Sequence, residues 1–332
     1  MNISAAPLPH HSVSGLSSGA DMAMIHLIVH SSVVRGAVID GGAPYGCQIL
    51  HNAEEKCQFP REFEPWRKHV AQMDEYMRKR ESSGLIDPLS NLRSTKVLLY
   101  SGSNDYIVDS AVMRAVAMQL DPYVAEDGIK NVFNVPSGHA FVTDDPRAQR
   151  CDAEGDPWVN FCEGFSLAGE ALRHMLGDAL RPRASRDATG RMHTLRQGRF
   201  LPSGWDLDSA GLAEQALLYV PQACAGGGSC AVHVDYHPCA CESFREYART
   251  GGWHQWADSN GLLVLHPRAS WDGAGFGSGC WDWDGSTGHA FDTHAGVQLA
   301  TVTNMVREIS QRGIDAAVAE EEGVEAGTVE SE

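Results

Sequence analysis

Short apolar runs bounded by turn residues recur along the chain, and segments with helical spacing of apolar positions lie between them. Such runs are typical of strands inside a parallel sheet, where both faces are buried. They predict strands at residues 13–14, 35–40, 96–101, 132–135, 216–220, 231–236 and 262–265. Helices are predicted at residues 21–31, 63–81, 111–120, 164–180, 243–249 and 295–311. Strands that alternate with helices indicate an α/β fold with a mostly parallel central sheet flanked by helices.

This pattern extends over residues 1–314, which we interpret as a single domain of the 332-residue chain. Residues 182–211 are polar and contain Pro, Gly and Arg, so we expect a long loop or linker there. Residues 315–332 hold seven carboxylates and no cation, which predicts a solvated, disordered tail. No apolar run reaches about 18 residues, so no membrane-spanning segment is predicted.

The chain has 43 acidic and 26 basic residues and a net charge of −17. Such an excess disfavours nucleic acids and anionic membrane surfaces as partners, and no obligate protein partner is evident. The nine cysteines, several in close pairs, are typical of disulfides in an exported protein. The first residues hold no cationic segment followed by an apolar stretch, so we expect a secreted protein whose signal peptide is not in this numbering.

The first chemical signal is a G-x-S-x-G motif at residues 15–19, between a short strand and a helix. In a nucleophile elbow the serine occupies a strained strand-to-helix turn, where larger side chains at the glycine positions would collide. The dipole at the N-terminus of the following helix favours a developing oxyanion. A plain Gly/Ser turn is the alternative, because the chain contains 34 glycines.

A serine nucleophile needs a base and an orienting carboxylate. Asp105 and His139 each follow a predicted strand, at the carboxyl end where α/β enzymes build their sites. The chain order Ser17, Asp105, His139 is that of the α/β-hydrolases. Asp109 is a rival acid, but it stands where a helix begins, and we expect it to cap that helix.

An oxyanion hole also needs a backbone N–H from an early strand, but only about a dozen residues precede Ser17. The predicted strands between residues 216 and 265 would supply the missing part of the sheet. The sequence therefore predicts an α/β-hydrolase fold whose opening strands have moved to the C-terminus, after the nucleophile.

These motifs resemble those of the extracellular poly(3-hydroxybutyrate) depolymerases with a circularly permuted catalytic domain, and also those of feruloyl-esterase-like esterases. The matching pieces cover most of the chain. They are GLSSGADMA at 15–23, GAVIDGGAPYGC at 36–47, LLYSGSNDYIV at 98–108, SGHAFVTDDP at 137–146, CDAEGDPWVNFC at 151–162, LLYVPQAC at 217–224, HVDYHPC at 233–239, WADSNGLLVLHP at 256–267 and GCWDWDG at 279–285.

The resemblance implies that Ser17 is the nucleophile, His139 the general base and Asp105 its orienting carboxylate. It also implies that the backbone N–H groups of Ser18 and Cys239 form the oxyanion hole.

Two positions depart from the family pattern. His-Pro-Cys at 237–239 stands where His-Gly-Cys is usual, and proline lacks an N–H. The required donor belongs to Cys239, so the hole can form with a stiffer turn. Cys-Trp-Asp-Trp-Asp at 280–284 replaces Cys-Trp-Asp-Trp-Trp, which leaves room for a smaller or more polar ester than a solid polyester.

Three aromatic residues are candidates to present a face to an ester chain: Trp281, Trp283 and Tyr106. Core packing is the alternative for the tryptophans. Three close cysteine pairs flank short loops and are candidate disulfides: Cys47/Cys57, Cys151/Cys162 and Cys224/Cys230. Cys239 and Cys241 are both candidates to pair with Cys280, which would tie the oxyanion turn to the tryptophan loop.

A zinc site is an alternative reading of His233, Asp235, His237, Cys239 and Cys241, because residues spaced by two share a strand face. A strand destined for a buried sheet, and Pro238 within the register, argue against it. The chain contains no Gly-rich phosphate loop and no H-E-x-x-H motif. We therefore predict no metal and no cofactor.

Three functions remain open. The first is a secreted hydrolase of short-chain polyhydroxyalkanoates, and the second is an esterase for feruloyl, acetyl or other small esters. The third is a non-catalytic binding protein on a hydrolase fold. The complete set of Ser17, Asp105 and His139 favours an enzyme.

Overall fold

An eight-stranded β-sheet forms the centre of the computed structural model, which describes residues 8–51, 57, 66–183, 187–225, 230–271 and 277–318. Its strands are β1 (His11–Leu16), β2 (Val34–Asp40), β3 (Lys96–Tyr100), β4 (Ile129–Val132), β8 (Arg191–Arg196), β9 (Gln215–Val220), β10 (Ala231–Tyr236) and β11 (Leu262–His266). The spatial order is β4-β3-β2-β1-β10-β11-β9-β8. A second sheet, ordered β5-β7-β6, contains β5 (Phe141–Thr143), β6 (Gln149–Arg150) and β7 (Val159–Phe161).

The first six strands in this spatial order, β4, β3, β2, β1, β10 and β11, run parallel. The last two described strands, β9 and β8, are antiparallel to their neighbours. β1 is the first described strand in the chain, yet it lies inside the sheet between β2 and β10. The late strands β10, β11, β9 and β8 thus complete the sheet on the far side of β1, as the prediction of C-terminal opening strands requires.

Helices cover both faces of the sheet. The helices are α1 (Ser18–Val29), α2 (Cys47–His51), α3 (Trp66–Ser82), α4 (Ser110–Leu120), α5 (Leu167–Leu176), α6 (Phe244–Thr250), α7 (Trp253–Asn260), α8 (Val297–Arg312) and α9 (Ile314–Val318). Apolar residues of α1, α4 and α8 pack on one face, and those of α5, α6 and α7 pack on the other. Every residue of α1 except Asp21 is buried, which explains why the sequence of this helix is apolar all round.

The sequence predicted most of these elements, but several predictions were wrong or incomplete. Residues 182–211 are not a plain loop, because they contain β8, whose mostly polar, half-exposed sequence gave no apolar run. The strand expected at 132–135 is Ile129–Val132, since the chain then leaves the sheet and the Val135 carbonyl accepts from the Ser103 N–H at 2.8 Å. Helix α7 and the three-stranded sheet were missed.

The tail predicted at 315–332 begins inside the short helix α9, where Ala317 is buried. Residues 319–332 lie outside the described residues. Among the helices that the structure describes, none is long and apolar enough to cross a membrane.

Candidate active site

Ser17 occupies the tight turn that joins β1 to α1. Its φ of 58° and ψ of −125° are strained for a residue with a side chain, and its N–H donates to the Asp40 carbonyl at 2.9 Å. A Cβ at Gly15 would lie 2.1 Å from the Gly19 carbonyl oxygen, and a Cβ at Gly19 would lie 2.3 Å from the Tyr236 carbonyl oxygen. Both glycines of the motif are therefore required by close backbone approach.

Asp105 and His139 meet in the buried interior of the neighbouring loops. The Nδ1 of His139 lies 2.8 Å from Oδ2 of Asp105, and both side chains are 2% exposed. The other carboxylate oxygen, Oδ1, accepts from the N–H groups of Ile107 at 2.9 Å and Val108 at 2.8 Å. The carboxylate is thus held on both oxygens, so it fixes the orientation of the imidazole.

The order of the strands brings this pair to the edge of the sheet where Ser17 lies. Ser17, Asp105 and His139 follow β1, β3 and β4, which run parallel and therefore end at the same edge. Gly41 lies between the Ser17 turn and His139. It follows Asp40, whose carbonyl accepts from the Ser17 N–H, and a Cβ on Gly41 would lie only 3.0 Å from Cε1 of His139. Nε2 of His139 is buried and has no hydrogen-bond partner within the described part of the chain. This nitrogen can accept a proton.

Ser18 and Cys239, expected to supply N–H groups, lie on adjacent elements. Ser18 begins α1, and Cys239 follows β10, the strand paired with β1. The close contact of Gly19 with the end of β10 places the N-terminus of α1 against the turn that contains Cys239. This geometry can direct two backbone donors toward one oxygen atom.

A buried carboxyl group, Asp40, stands at the end of β2 beside this site, and the sequence reasoning missed it. It is 1% exposed, and its Oδ2 has no partner among the described residues. Burial raises the pKa of Asp40 well above its ordinary value, and the nearby Asp105 raises it further. Both effects favour the neutral form of the Asp40 carboxyl group.

Trp158 is a second residue that sequence reasoning missed. Its ring meets the His139 ring edge-on, with centroids 5.9 Å apart, and its Nε1–H donates to the Ala240 carbonyl at 2.9 Å. Trp158 therefore packs against the imidazole and connects it to the turn after β10 through this hydrogen bond. The matching piece at 151–162 contains this tryptophan but gives it no role.

The prediction that Trp281 presents its face to substrate was wrong. Its side chain is 0% exposed, its Nε1–H donates to the His237 carbonyl at 3.0 Å, and its ring packs edge-on against Tyr236. Trp283 is partly buried and lines a small apolar slot with Pro44 and Phe291. Tyr106 is 79% exposed.

Other exposed apolar side chains lie on segments that follow the carboxyl ends of parallel strands. Ile49 and Leu50 follow β2 and are 37% and 40% exposed, and Trp271 follows β11 and is 40% exposed. With Tyr106, they give this edge an apolar rim, which we define as Ile49, Leu50, Tyr106 and Trp271. Sequence reasoning overlooked Ile49, Leu50 and Trp271 because isolated exposed apolar residues carry no pattern.

The structure contains four disulfides: Cys47–Cys57, Cys151–Cys162, Cys224–Cys230 and Cys239–Cys280. Of the two alternatives for Cys280, the partner is Cys239, so the turn after β10 is covalently joined to the segment that precedes Trp281. Cys241 is a free, buried thiol.

The side chains considered as zinc ligands have other partners. Both ring nitrogens of His233 bind serine hydroxyls of β1 at 2.8 Å, and Asp235 accepts from the Ser14 hydroxyl at 2.5 Å. Nε2 of His237 accepts from the Ala269 N–H at 3.0 Å, and Cys239 is in a disulfide. These groups form a buried hydrogen-bonded network of the sheet and do not converge on one point.

Several known proteins are similar to this chain in sequence and fold. No protein-family model matches the chain. The chain is 31% identical over 306 residues to a poly(3-hydroxybutyrate) depolymerase of Delftia acidovorans; the match covers 90% of this chain but only 59% of that protein. It is 29% identical over 324 residues to a polyhydroxybutyrate depolymerase of Talaromyces funiculosus, covering 90% of this chain and 88% of that protein.

Two solved structures are similar in fold. The crystal structure of a PHB depolymerase from Penicillium funiculosum gives a TM-score of 0.79 at 27% identity, and the match covers 93% of this chain and 100% of that one. A serine-to-alanine variant of a PHB depolymerase complexed with an R3HB trimer gives a TM-score of 0.77 with the same identity and coverage. The resemblance inferred from the sequence motifs is therefore confirmed: the chain has the α/β-hydrolase fold and is a homologue of the polyhydroxybutyrate depolymerases.

Proposed function

We propose that this protein is a serine esterase that hydrolyses the ester bonds of poly(3-hydroxybutyrate) and related short-chain polyhydroxyalkanoates. The observation that carries the proposal is the buried contact of 2.8 Å between His139 Nδ1 and Asp105 Oδ2, with Ser17 in a strained turn at the same edge of the sheet. Relatives named for this activity support the choice of substrate.

In the proposed mechanism, Ser17 Oγ attacks the ester carbonyl carbon while Nε2 of His139 takes the hydroxyl proton. The N–H groups of Ser18 and Cys239 stabilise the oxyanion of the tetrahedral intermediate. When the C–O bond to the alcohol breaks, His139 protonates the departing hydroxyl, and an acyl-enzyme remains on Ser17. Water activated by His139 then releases the hydroxyacid and restores the serine. Asp105 keeps the imidazole in the tautomer that this requires.

A polyester is favoured as substrate by the apolar rim. Exposed apolar side chains around a catalytic edge allow adsorption to a hydrophobic surface, because their contact with a polymer removes apolar area from water. A small-ester esterase is the second candidate. It is favoured by the burial of Trp281 and by the exposed Asp284 at the position where the family pattern has an aromatic residue.

We further propose that the protein acts outside the cell and that residues 1–314 form one catalytic domain. Four disulfides support an oxidising compartment, where such bonds persist. One domain is supported by the shared sheet, to which both the early strand β1 and the late strand β10 contribute.

The test is release of 3-hydroxybutyrate monomer and dimer from amorphous poly(3-hydroxybutyrate), with p-nitrophenyl butyrate as the soluble substrate. Ser17→Ala should lower both activities by roughly 10⁴–10⁶-fold, because it removes the nucleophile. Ser103→Ala is the matched control, since it removes an exposed hydroxyl from the loop that carries Asp105.

Turnover retained by Ser17→Ala would contradict the serine mechanism. Cleavage of only the soluble ester, abolished in Ser17→Ala, would contradict the polyester and favour the small-ester esterase.

A further inference from the structure

Three side chains with metal-ligating atoms converge at the end of α1 that is remote from Ser17. They are His30, Asp87 and His294, and one ligand atom from each lies within 4.8 Å of the other two. Since α1 has 12 residues, this cluster is about 18 Å along the helix from the nucleophile turn. It has no part in the proposed ester hydrolysis, and no motif in the sequence predicts a metal there.

Backbone hydrogen bonds hold the three segments together before any ligand binds. The Asp87 N–H donates to the Val29 carbonyl at 3.1 Å, next to His30. The His294 N–H donates to the Leu85 carbonyl at 3.0 Å, two residues from Asp87. Each candidate ligand is therefore anchored to the segment of another, which limits the conformational entropy that binding would cost.

His30 is partly buried at the end of α1 and offers a ring nitrogen to a cation. Its Nε2 is buried and has no hydrogen-bond partner in the described part of the chain.

Asp87 also has the orientation that a metal ligand requires. Its Oδ2 accepts from the N–H of Ser32 at 3.0 Å and from the Ser32 hydroxyl at 2.5 Å, which leaves Oδ1 directed at His294 Nε2, 3.1 Å away. Outer contacts of this kind commonly orient ligating carboxylates. In a tetrahedral zinc site the ligand atoms are about 3.3 Å apart, so Oδ1 and Nε2 already have the required spacing. His294 is 38% exposed, so it is free to adjust and open to ions from solvent.

We propose that His30, Asp87 and His294 form a binding site for a divalent transition-metal ion of the zinc type. Two imidazoles and one carboxylate are a donor set that Zn²⁺ accepts, with water in the remaining position. The negative end of the α1 dipole adds to the attraction, while the nearby Arg307 guanidinium opposes it. Bound metal would fasten the end of α1 to the segments that contain Asp87 and His294.

The experiment is titration of the purified, EDTA-treated full-length protein with ZnCl₂ at pH 7.5 by calorimetry, and with Co²⁺ by visible absorption. We expect one ion per chain, a Co²⁺ absorption band typical of low coordination number, and a higher Tm in the presence of Zn²⁺. His294→Ala and Asp87→Asn should each weaken binding by at least the roughly 10–100-fold that loss of an outer contact costs. His289→Ala, which removes an exposed imidazole from the same loop, should leave binding unchanged.

Two results would overturn the proposal. The first is that Zn²⁺ binding is not saturable, or that it survives both His294→Ala and Asp87→Asn. In either case His294 and Asp87 would be an ordinary ion pair. The other is binding abolished by His139→Ala but not by His294→Ala, which would place the ion at the ester-cleaving site. Circular dichroism of each variant separates loss of binding from loss of the fold.

Discussion

At the scale of single residues, Asp105 and Asp109 illustrate how partners decide the role of a side chain. Asp105 accepts from two backbone N–H groups and from His139. Asp109, four residues later, accepts from the Ala111 N–H at 2.7 Å and caps α4, as its position in the sequence predicted. The two carboxylates have the same chemistry but different tasks.

We predict that Asp105→Asn lowers kcat for p-nitrophenyl butyrate by about 10⁴-fold, because an amide would stabilise the wrong tautomer of His139. Asp109→Ala should instead lower the free energy of unfolding by about 1 kcal/mol through loss of the cap, with kcat unchanged. Steady-state kinetics and urea unfolding of both variants test this pair. A large loss of kcat in Asp109→Ala, with Asp105→Asn fully active, would reverse the assignment.

At the scale of elements, the turn after β10 is held from several sides. The Cys239–Cys280 disulfide joins it to the segment before Trp281, and the Ala240 N–H donates to the Ser278 carbonyl at 2.6 Å. Trp158 and Trp281 bind the carbonyls of Ala240 and His237. Such a turn can keep the Cys239 N–H in a fixed direction, as stabilisation of an oxyanion requires.

Removal of this disulfide with Cys239→Ser/Cys280→Ser should therefore affect both stability and rate. The 41-residue separation corresponds to a loss of about 4 kcal/mol by the loop-entropy model. Displacement of one oxyanion donor should lower kcat by up to roughly 10²–10³-fold. Kinetics well below the Tm of the variant measure the second effect.

The matched control is Cys224→Ser/Cys230→Ser, which opens a disulfide at the opposite edge of the sheet. Its separation of six residues corresponds to about 2 kcal/mol, and kcat should not change. Equal kcat values for the two double variants would contradict the role given to the turn after β10.

At the scale of the whole molecule, several imidazoles are buried on the strands and helices of the fold. His11, His26, His233, His237 and His254 are buried, and burial lowers the pKa of each, to about 4 for His11 and His237 and about 3 for His233. The folded chain therefore holds these groups neutral at a pH where the unfolded chain protonates them. Burial also raises the pKa of two carboxyl groups, to about 7 for Asp21 and well above the ordinary value for Asp40, and these groups act in the opposite direction.

We expect the free energy of unfolding to decrease by a few kcal/mol as the pH falls from 6.5 to 5. Below pH 6.5 the unfolded state binds more protons at these imidazoles than the folded state does. Each imidazole then lowers the free energy of unfolding by about 1.4 kcal/mol per pH unit, until the pH reaches its pKa in the folded state. Protonation of the raised carboxyls offsets only part of this. Urea unfolding at several pH values measures how steeply the free energy of unfolding changes with pH. His254→Gln should reduce this slope by about 1.4 kcal/mol per pH unit. A stability that is constant over this range, or that rises toward pH 5, would contradict the prediction.

Sequence alone determined the α/β class, the interior strands, the G-x-S-x-G turn and the candidates for the serine, the carboxylate, the imidazole and three disulfides. These follow from periodicity and from residue types whose local conformation is restrictive, such as Gly15 and Gly19. Only the tertiary structure decided that Trp281 is core, that Cys239 and not Cys241 joins Cys280, and that β8 forms an edge strand. It also placed Asp40 near Asp105 and Trp158 beside His139, and it brought His30, Asp87 and His294 together. The physical reason is that these facts depend on contacts between segments distant in the chain, and local pattern does not record which distant segments will meet.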